Sequence, residues 1–185
     1  MKFKFFAVYL SRILPGIKEI VIHPQTLFIT IKKEYLKEIL DILKNDQSLR
    51  FKSLMDIWGV DYPDKNERFE VNYQLLSIYL NVRIVLRLTV EEFEGVDSVS
   101  SLFSSAGWLE REVWDMYGVF FFENTDLRRI LTDYGFQGHP LRKDFPLSGF
   151  MEVRYDDSEK RVVYEPLEVS QEFRSFNFSS PWEKL

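Results

Sequence analysis

The stretch from Phe69 to Val90 sets the tightest limit on what this chain can fold into. Phe69, Val71 and Tyr73 alternate with Glu70, Asn72 and Gln74, and a mixed pattern of Arg83, Leu86-Arg87-Leu88 and Val90 follows. Alternation with a period of two is the mark of a strand. Asn81 tolerates the left-handed conformation, so the run folds on itself as a hairpin around Leu80-Asn81. Two long antiparallel strands present an apolar face that something must cover. Glu34 to Lys44 supplies a cover. Leu36, Ile39, Leu40 and Leu43 line one side of a helix, and Lys37, Glu38, Asp41 and Lys44 line the other. Ile17 to Ile22 and Leu27 to Ile31 read as strands about a turn at His23-Pro24-Gln25-Thr26, and Phe51 to Asp61 holds a further strand. Phe3 to Leu14 reads as a helix stopped by Pro15-Gly16, and Asp97 to Ala106 as a helix with Val99, Leu102 and Phe103 inward. Strands, helix, strands, helix is the order of an α+β two-layer domain with a mostly antiparallel sheet packed by helices.

Gly107 to Leu147 is denser in charge, aromatic rings, glycine and proline than the rest. Leu109, Val113 and Met116 give one apolar helical face, and Gly118 ends that helix. Arg111 and Asp115 are at the spacing of a surface ion pair, and Glu110 and Glu112 lie where a helix start favours negative charge. Glu112 and Asp115 do not make a di-metal motif, which needs a Glu-x-x-His partner. Gly135-x-x-Gly138 is a turn signal rather than a phosphate loop. His139 is the one general-base candidate, with Asp133 or Asp144 to orient it, and would make the chain a free-standing hydrolase; no Gly-x-Ser-x-Gly elbow accompanies it. Arg128, Arg129, Arg142 and Lys143 leave two readings open. They dock onto acidic groups of a neighbour or anionic headgroups, or they pair internally with Asp126, Asp133 and Asp144.

Composition narrows the function. The chain has 185 residues, a net charge of −5 and scattered basic residues, which is no footprint for nucleic acid. With no cysteine it offers no disulfide, no thiolate nucleophile and no thiolate ligand for an iron–sulfur cluster. Its two histidines, His23 and His139, do not make a zinc site, and His23 is read as a turn residue. No apolar run reaches the roughly 20 residues that span a bilayer. Residues 1–18, with Lys2, Lys4, Arg12 and Lys18 and no acid, read as a docking helix rather than a targeting segment. Seventeen Phe, nine Tyr and four Trp are more rings than a core of this size readily hides, so some are expected in interfaces.

After residue 147 the character changes. Met151, Val153 and Tyr155 alternate with Glu152, Arg154 and Asp156, and Arg161 to Tyr164 can return, which makes a small hairpin. Phe173, Phe176, Phe178 and Trp182 follow in a stretch that cannot build a core of its own. Residues 148–185 are therefore read as an extended tail that orders on a partner, after an α+β domain over residues 1–147.

Four blocks carry a resemblance: Glu110-Arg111-Glu112, Trp114-Asp115-Met116-Tyr117-Gly118-Val119, Asp126-Leu127-Arg128-Arg129-Ile130-Leu131, and Gly138-His139-Pro140-Leu141-Arg142-Lys143-Asp144-Phe145-Pro146. In this order they resemble the 30 kDa subunit family of respiratory complex I, which is called subunit 9 in plants and protists and has a bacterial counterpart. The likeness runs from about Arg68 to Trp182 and more weakly back to Ile17. Asn124-Thr125 stands where the family usually has His-Pro, so no role of that histidine carries over. The resemblance implies a structural subunit in the hydrophilic arm of NADH:ubiquinone oxidoreductase, in its quinone-reducing module. The complex uses FMN, iron–sulfur clusters and ubiquinone; this subunit is expected to hold no redox group. It is expected to pack chiefly on the 49 kDa subunit, with Arg128, Arg129, His139, Arg142, Lys143, Phe173, Phe176, Phe178 and Trp182 as candidate interface residues. The subunit-9-like wording of 115–146 and of Ser179-Ser180-Pro181-Trp182 points to the matrix side of the mitochondrial inner membrane, with the cytoplasmic face of a bacterial membrane as the alternative.

Overall fold

The structure is a computed structural model that describes residues 2–24, 26–176, 178–180 and 182, with side chains from Phe6 onward. Gln25 of the first turn and Pro181 of the tail lie outside the described residues. Two compact units are present, residues 1–145 and 146–185.

The first unit is built on a five-stranded sheet of β1 (Ile17–Ile22), β2 (Thr26–Ile31), β3 (Ser53–Asp61), β4 (Phe69–Ser77) and β5 (Val82–Val90). Their spatial order is β1-β2-β5-β4-β3, and only β2 with β5 is parallel. The 69–90 hairpin forms as its alternation requires, with Asn81 in the left-handed region at the turn. Leu27, Ile29, Ile31, Phe69, Val71, Tyr73, Leu75, Ile84, Leu86, Leu88 and Val90 are all buried, so alternate residues of three strands feed one core. Helix α1 (Lys2–Ile13) adds Ala7 and Leu10, and α2 (Leu36–Asn45), entered through a 3-10 turn over Lys33–Tyr35, adds Leu36, Ile39, Leu40 and Leu43. Each of those four α2 side chains is fully buried and contributes about 1.5–3 kcal/mol by removal from water.

The polar members of the alternation, Glu70 and Asn72, are not left to solvent but buried. Trp58, Asn72, Arg87 and Thr30 stand in one cross-strand row, and the long chains of that face shelter one another: Asn72 Nδ2 donates to Glu70 Oε1 at 3.1 Å, and Glu70 pairs with Arg87 at 3.2 Å. Nor is 97–106 a helix. It is a strand β6 (Gly95–Asp97) followed by two turns, in which Leu102 and Phe103 N–H groups both reach the Val99 carbonyl. The Ser98 hydroxyl accepts the Ser100 N–H at 3.2 Å, and the Val99 N–H goes to a side-chain carboxylate at 2.7 Å. Val99 and Phe103 are buried all the same.

Helix α3 (Ala106–Tyr117) comes next and lies along edge strand β3; β7 (Phe120–Phe122) then pairs in parallel with β6. In the second unit β8 (Met151–Asp156) pairs antiparallel with β9 (Arg161–Pro166). Met151, Val153, Tyr155, Val162, Tyr164 and Pro166 share one face by register, and Glu152, Arg154, Asp156, Arg161 and Glu165 share the other with Val163.

Candidate functional site

The signature blocks meet around α3. The helix begins at Ala106, and its first turn carries no acid, so Glu110 is not an N-terminal dipole partner as its position in the sequence suggested. Instead Glu110 lies on the stripe of Ala106 and Val113 and is fully buried. Its carboxylate accepts from the Val99 N–H at 2.7 Å, the Ser98 hydroxyl at 2.7 Å and the Asn124 amide at 2.6 Å. Burial pushes its pKa up, and those three donors offset part of the rise. Asn124 also accepts the Asp126 N–H at 3.0 Å, so it ties the turn before Asp-Leu-Arg-Arg to the helix.

Asp115 does the same for the other side, and not by pairing with Arg111. Its side chain has no solvent exposure, and it accepts the N–H groups of Ile130, Leu131 and Thr132 at 3.1, 2.8 and 3.0 Å. The Thr132 hydroxyl at 2.6 Å and Arg129 at 3.0 Å complete the set. Burial acts to raise the pKa of Asp115, but the Thr132 hydroxyl and the three amides outweigh it and hold the group at about 2. Arg111 turns away to the Arg128 carbonyl, to Asp126 at 3.8 Å and to the face of Trp108.

The C-terminus of α3 is closed by the last block. Gly118 sits at φ 80°, and a Cβ there would stand 2.6 Å from His139 Nε2. Only glycine suits both the left-handed turn and the close approach. His139 Nδ1 lies 3.0 Å from the Asp115 carbonyl, its ring stacks edge-on to Trp114, and burial lowers its pKa. Arg142 donates to the Tyr117 carbonyl at 2.6 Å and pairs with Glu92 at 2.9 Å. Asp61, buried at the end of β3, grips Arg68 through two bonds of 2.7 and 3.0 Å and accepts the Lys143 N–H at 2.7 Å; Arg68 also pairs with Asp144 at 3.0 Å. Burial would raise the pKa of Asp61, but Arg68 and the Lys143 amide bring it below the ordinary carboxylate range.

Of the four basic residues singled out in the sequence, two are thus held inside the unit, Arg129 by Asp115 and Arg142 by Glu92. Arg128 pairs with Asp126 but is 68% exposed, and Lys143 is exposed. Trp108, Leu131, Tyr134 and Leu141 of the first unit are exposed, and so are Phe173, Phe176, Phe178 and Trp182 in the second unit. The hydrolase arrangement does not form: His139 faces a backbone carbonyl, Asp144 is held by Arg68, and Asp133 accepts the Tyr134 N–H at 2.8 Å. Among the described residues no group of three His, Cys, Asp or Glu side chains can hold a metal, and no helix is long and apolar enough to cross a membrane.

The model of the family described as the respiratory-chain NADH dehydrogenase, 30 Kd subunit, matches residues 29–151. The chain belongs to that family. NADH-ubiquinone oxidoreductase subunit 9 of Reclinomonas americana is 53% identical over 182 residues, which cover 98% of this chain and 86% of that one. An NADH-quinone oxidoreductase subunit of Paramagnetospirillum magneticum is 56% identical over 157 residues (85% and 79% of the two chains). NADH dehydrogenase (ubiquinone) iron-sulfur protein 3 of Beta trigyna is 62% identical over 151 residues (82% and 79%). Among solved structures, an archaeal membrane-bound sulfane sulfur reductase complex contains a chain of the same fold, with a TM-score of 0.69 and 22% identity over 80% of this chain and 87% of that one.

For this member of the 30 kDa family, three residues that hold the site together were missed by reading the sequence, Asp61, Arg68 and Glu92, and Glu110 was seen but assigned to the helix start. Only Glu110 carried a signal. It lies four residues after Ala106 and three before Val113, so it is a charge inside an apolar stripe, and such a charge needs buried partners.

Proposed function

We propose that this chain is a structural, non-catalytic subunit of the quinone-reducing module of NADH:ubiquinone oxidoreductase. It supports electron transfer from NADH to ubiquinone while FMN and the iron–sulfur clusters sit in other subunits. One observation carries the non-catalytic part: Asp115, Glu110, Asp61 and His139, the enclosed acid–base groups of the site, are each engaged by backbone atoms of this chain. They hold a surface in shape, and a reacting group must instead be open to its substrate. The chain also has no cysteine with which to hold a cluster. The partners are other subunits of the complex, chiefly the 49 kDa subunit. It is reached through Arg128 and Lys143 together with the rings of the 148–185 tail, while Arg129, His139 and Arg142 set the shape of the loops that carry them. The place is the matrix side of the mitochondrial inner membrane, which fits the 98% coverage by a subunit 9 relative.

Native electrophoresis of gently solubilised membranes tests this, with the chain detected on the lane stained for NADH oxidation. Co-migration with a very large NADH-oxidising band is expected. Migration near its own 22.2 kDa, away from any such band, would sink the assignment.

A further inference from the structure

The acidic side chains of α3 are not all alike. Glu110 and Asp115 are saturated by donors of this chain, as described above. Glu112 and, across from it on β3, Asp56 make no ion pair among the described residues, and both are exposed. The one bond to the Asp56 carboxylate is from the Ile57 N–H at 2.9 Å. Asp56 and Glu112 both belong to the lining of one crevice, about 110 Å3 in volume, between α3 and the edge strand β3. Val113, Met116 and Leu141 contribute apolar surface to it, Tyr117 contributes an aromatic residue, and none of its lining residues is basic.

Size and chemistry point to one kind of occupant. At ~30 Å3 for a water-sized group, the space takes about four such groups, the outer part of one long side chain. It is far below the roughly 300 Å3 of a cofactor or drug-sized ligand pocket. Apolar walls suit a methylene stem, and two free carboxylates suit a cationic head. An aromatic wall adds to the attraction for a guanidinium. We propose that the crevice receives one basic side chain, an arginine or a lysine, from a neighbouring subunit of the complex. This rests on the assignment of the chain as a complex subunit, and it names a contact on the first unit that is separate from the tail.

The test uses the full chain in solubilised membranes, washed with rising NaCl before native electrophoresis. Three variants are compared with wild type: Glu112→Gln, the double variant Asp56→Asn with Glu112→Gln, and Glu112→Lys. Glu112→Gln removes an exposed charge and breaks no hydrogen bond of the fold, so it reads the contact without disturbing Ile57. At the salt concentration where half the wild-type chain stays on the NADH-oxidising band, the double variant is expected to be retained about tenfold less, Glu112→Gln to fall between, and Glu112→Lys to be retained least. Equal retention of all three with wild type overturns the crevice as a contact while leaving the subunit assignment standing. Absence of the wild-type chain itself from the band removes the assignment, and the crevice proposal with it.

Discussion

From Gly107 to Phe145 several charged side chains, Glu110, Asp115 and Arg142 among them, turn inward onto backbone; from Pro146 to Trp182 most of the described apolar side chains are exposed. Asp115 has five donors around it and no exposure, whereas Phe178 and Trp182 are 93% and 90% exposed. The first region is costly to take apart, and the residues that hold it from outside its span, Ser98, Val99, Glu92, Asp61 and Arg68, belong to the same unit. The second has one apolar hairpin face and a run of rings with too little chain to bury them, and an isolated two-stranded hairpin is marginal in water. A rigid, self-satisfied clasp beside an incomplete tail is the division of labour expected of an assembly subunit. In the proposed function the clasp fixes a shape, and the tail is the part that would find its fold on another surface.

If the clasp is self-sufficient, the harshest way to break it is Asp115→Ala. That change leaves three backbone N–H groups, the Thr132 hydroxyl and Arg129 without their acceptor. A loss of about 3–5 kcal/mol in the unfolding free energy of the purified chain is expected, read by denaturant titration. A cost below about 1 kcal/mol would mean that the 129–132 loop is held by something other than Asp115.

Acid probes the clasp without mutation. The folded pKa of Asp115 is about 2, below its unfolded value of 3.8. Its stabilisation is therefore fully present above the unfolded value and is lost as the pH falls toward 2. One pKa unit is worth ~1.4 kcal/mol, so about 2 kcal/mol should disappear over that window. Asp61, also lowered, adds loss in the same direction. Glu110, raised by burial, has the opposite sign: its ionisation works against folding, and protonation relieves it. Melting curves of wild type and Asp115→Asn between about pH 5 and pH 2 check this, and the variant should show the shallower acid loss.

The contrast also marks what a sequence can reveal. Helix α2 and the β4–β5 hairpin were legible because their periodicity runs over many residues and nothing competes with it. Gly118 was legible because a helix end needs the left-handed turn. The three-residue β6–β7 pair was not, since two strands that short carry no pattern of their own. The Arg111–Asp115 spacing was correct for a pair and misleading in fact: Asp115 found its donors some fifteen residues downstream, in a loop whose path is set by the fold. Residues 97–106 have a helical apolar pattern, yet they close as turns on the Val99 carbonyl while Glu110, from the next helix, holds the Val99 N–H. The grip of Asp61 on Arg68 and the Lys143 amide joins β3 to a loop 82 residues on, beyond any local reading.

A finer probe of the clasp is the pair Glu110 and Asn124. Every neighbour of the Glu110 carboxylate donates to it. Glu110→Gln puts an N–H2 group against one of those donors and should cost about 1–2 kcal/mol. Adding Asn124→Asp gives that new donor an acceptor and keeps the bond to the Asp126 N–H. The double variant should recover roughly 1 kcal/mol relative to the sum of the singles, as a double-mutant cycle would show. Strict additivity would mean that the two side chains act separately and that Asn124 does not tie its turn to the helix.

The smallest expected effect decides the comparison. Ending the chain after Phe145 removes the hairpin and all four tail rings. Every buried core residue among those described lies before residue 146, and the β8–β9 ladder closes on itself. The truncated protein should therefore unfold within about 0.5 kcal/mol of the full chain in denaturant, the usual range for changes away from a core. In membranes the same truncation should strip the chain from the NADH-oxidising band, because the rings it loses are the ones assigned to the partner. The two readouts must diverge. If the truncated domain is instead destabilised by about 2 kcal/mol or more, well outside that range, the tail is part of its own domain's packing. Its exposed rings then cease to argue for a neighbour, and the burden of docking passes to Arg128, Lys143 and the Glu112 crevice.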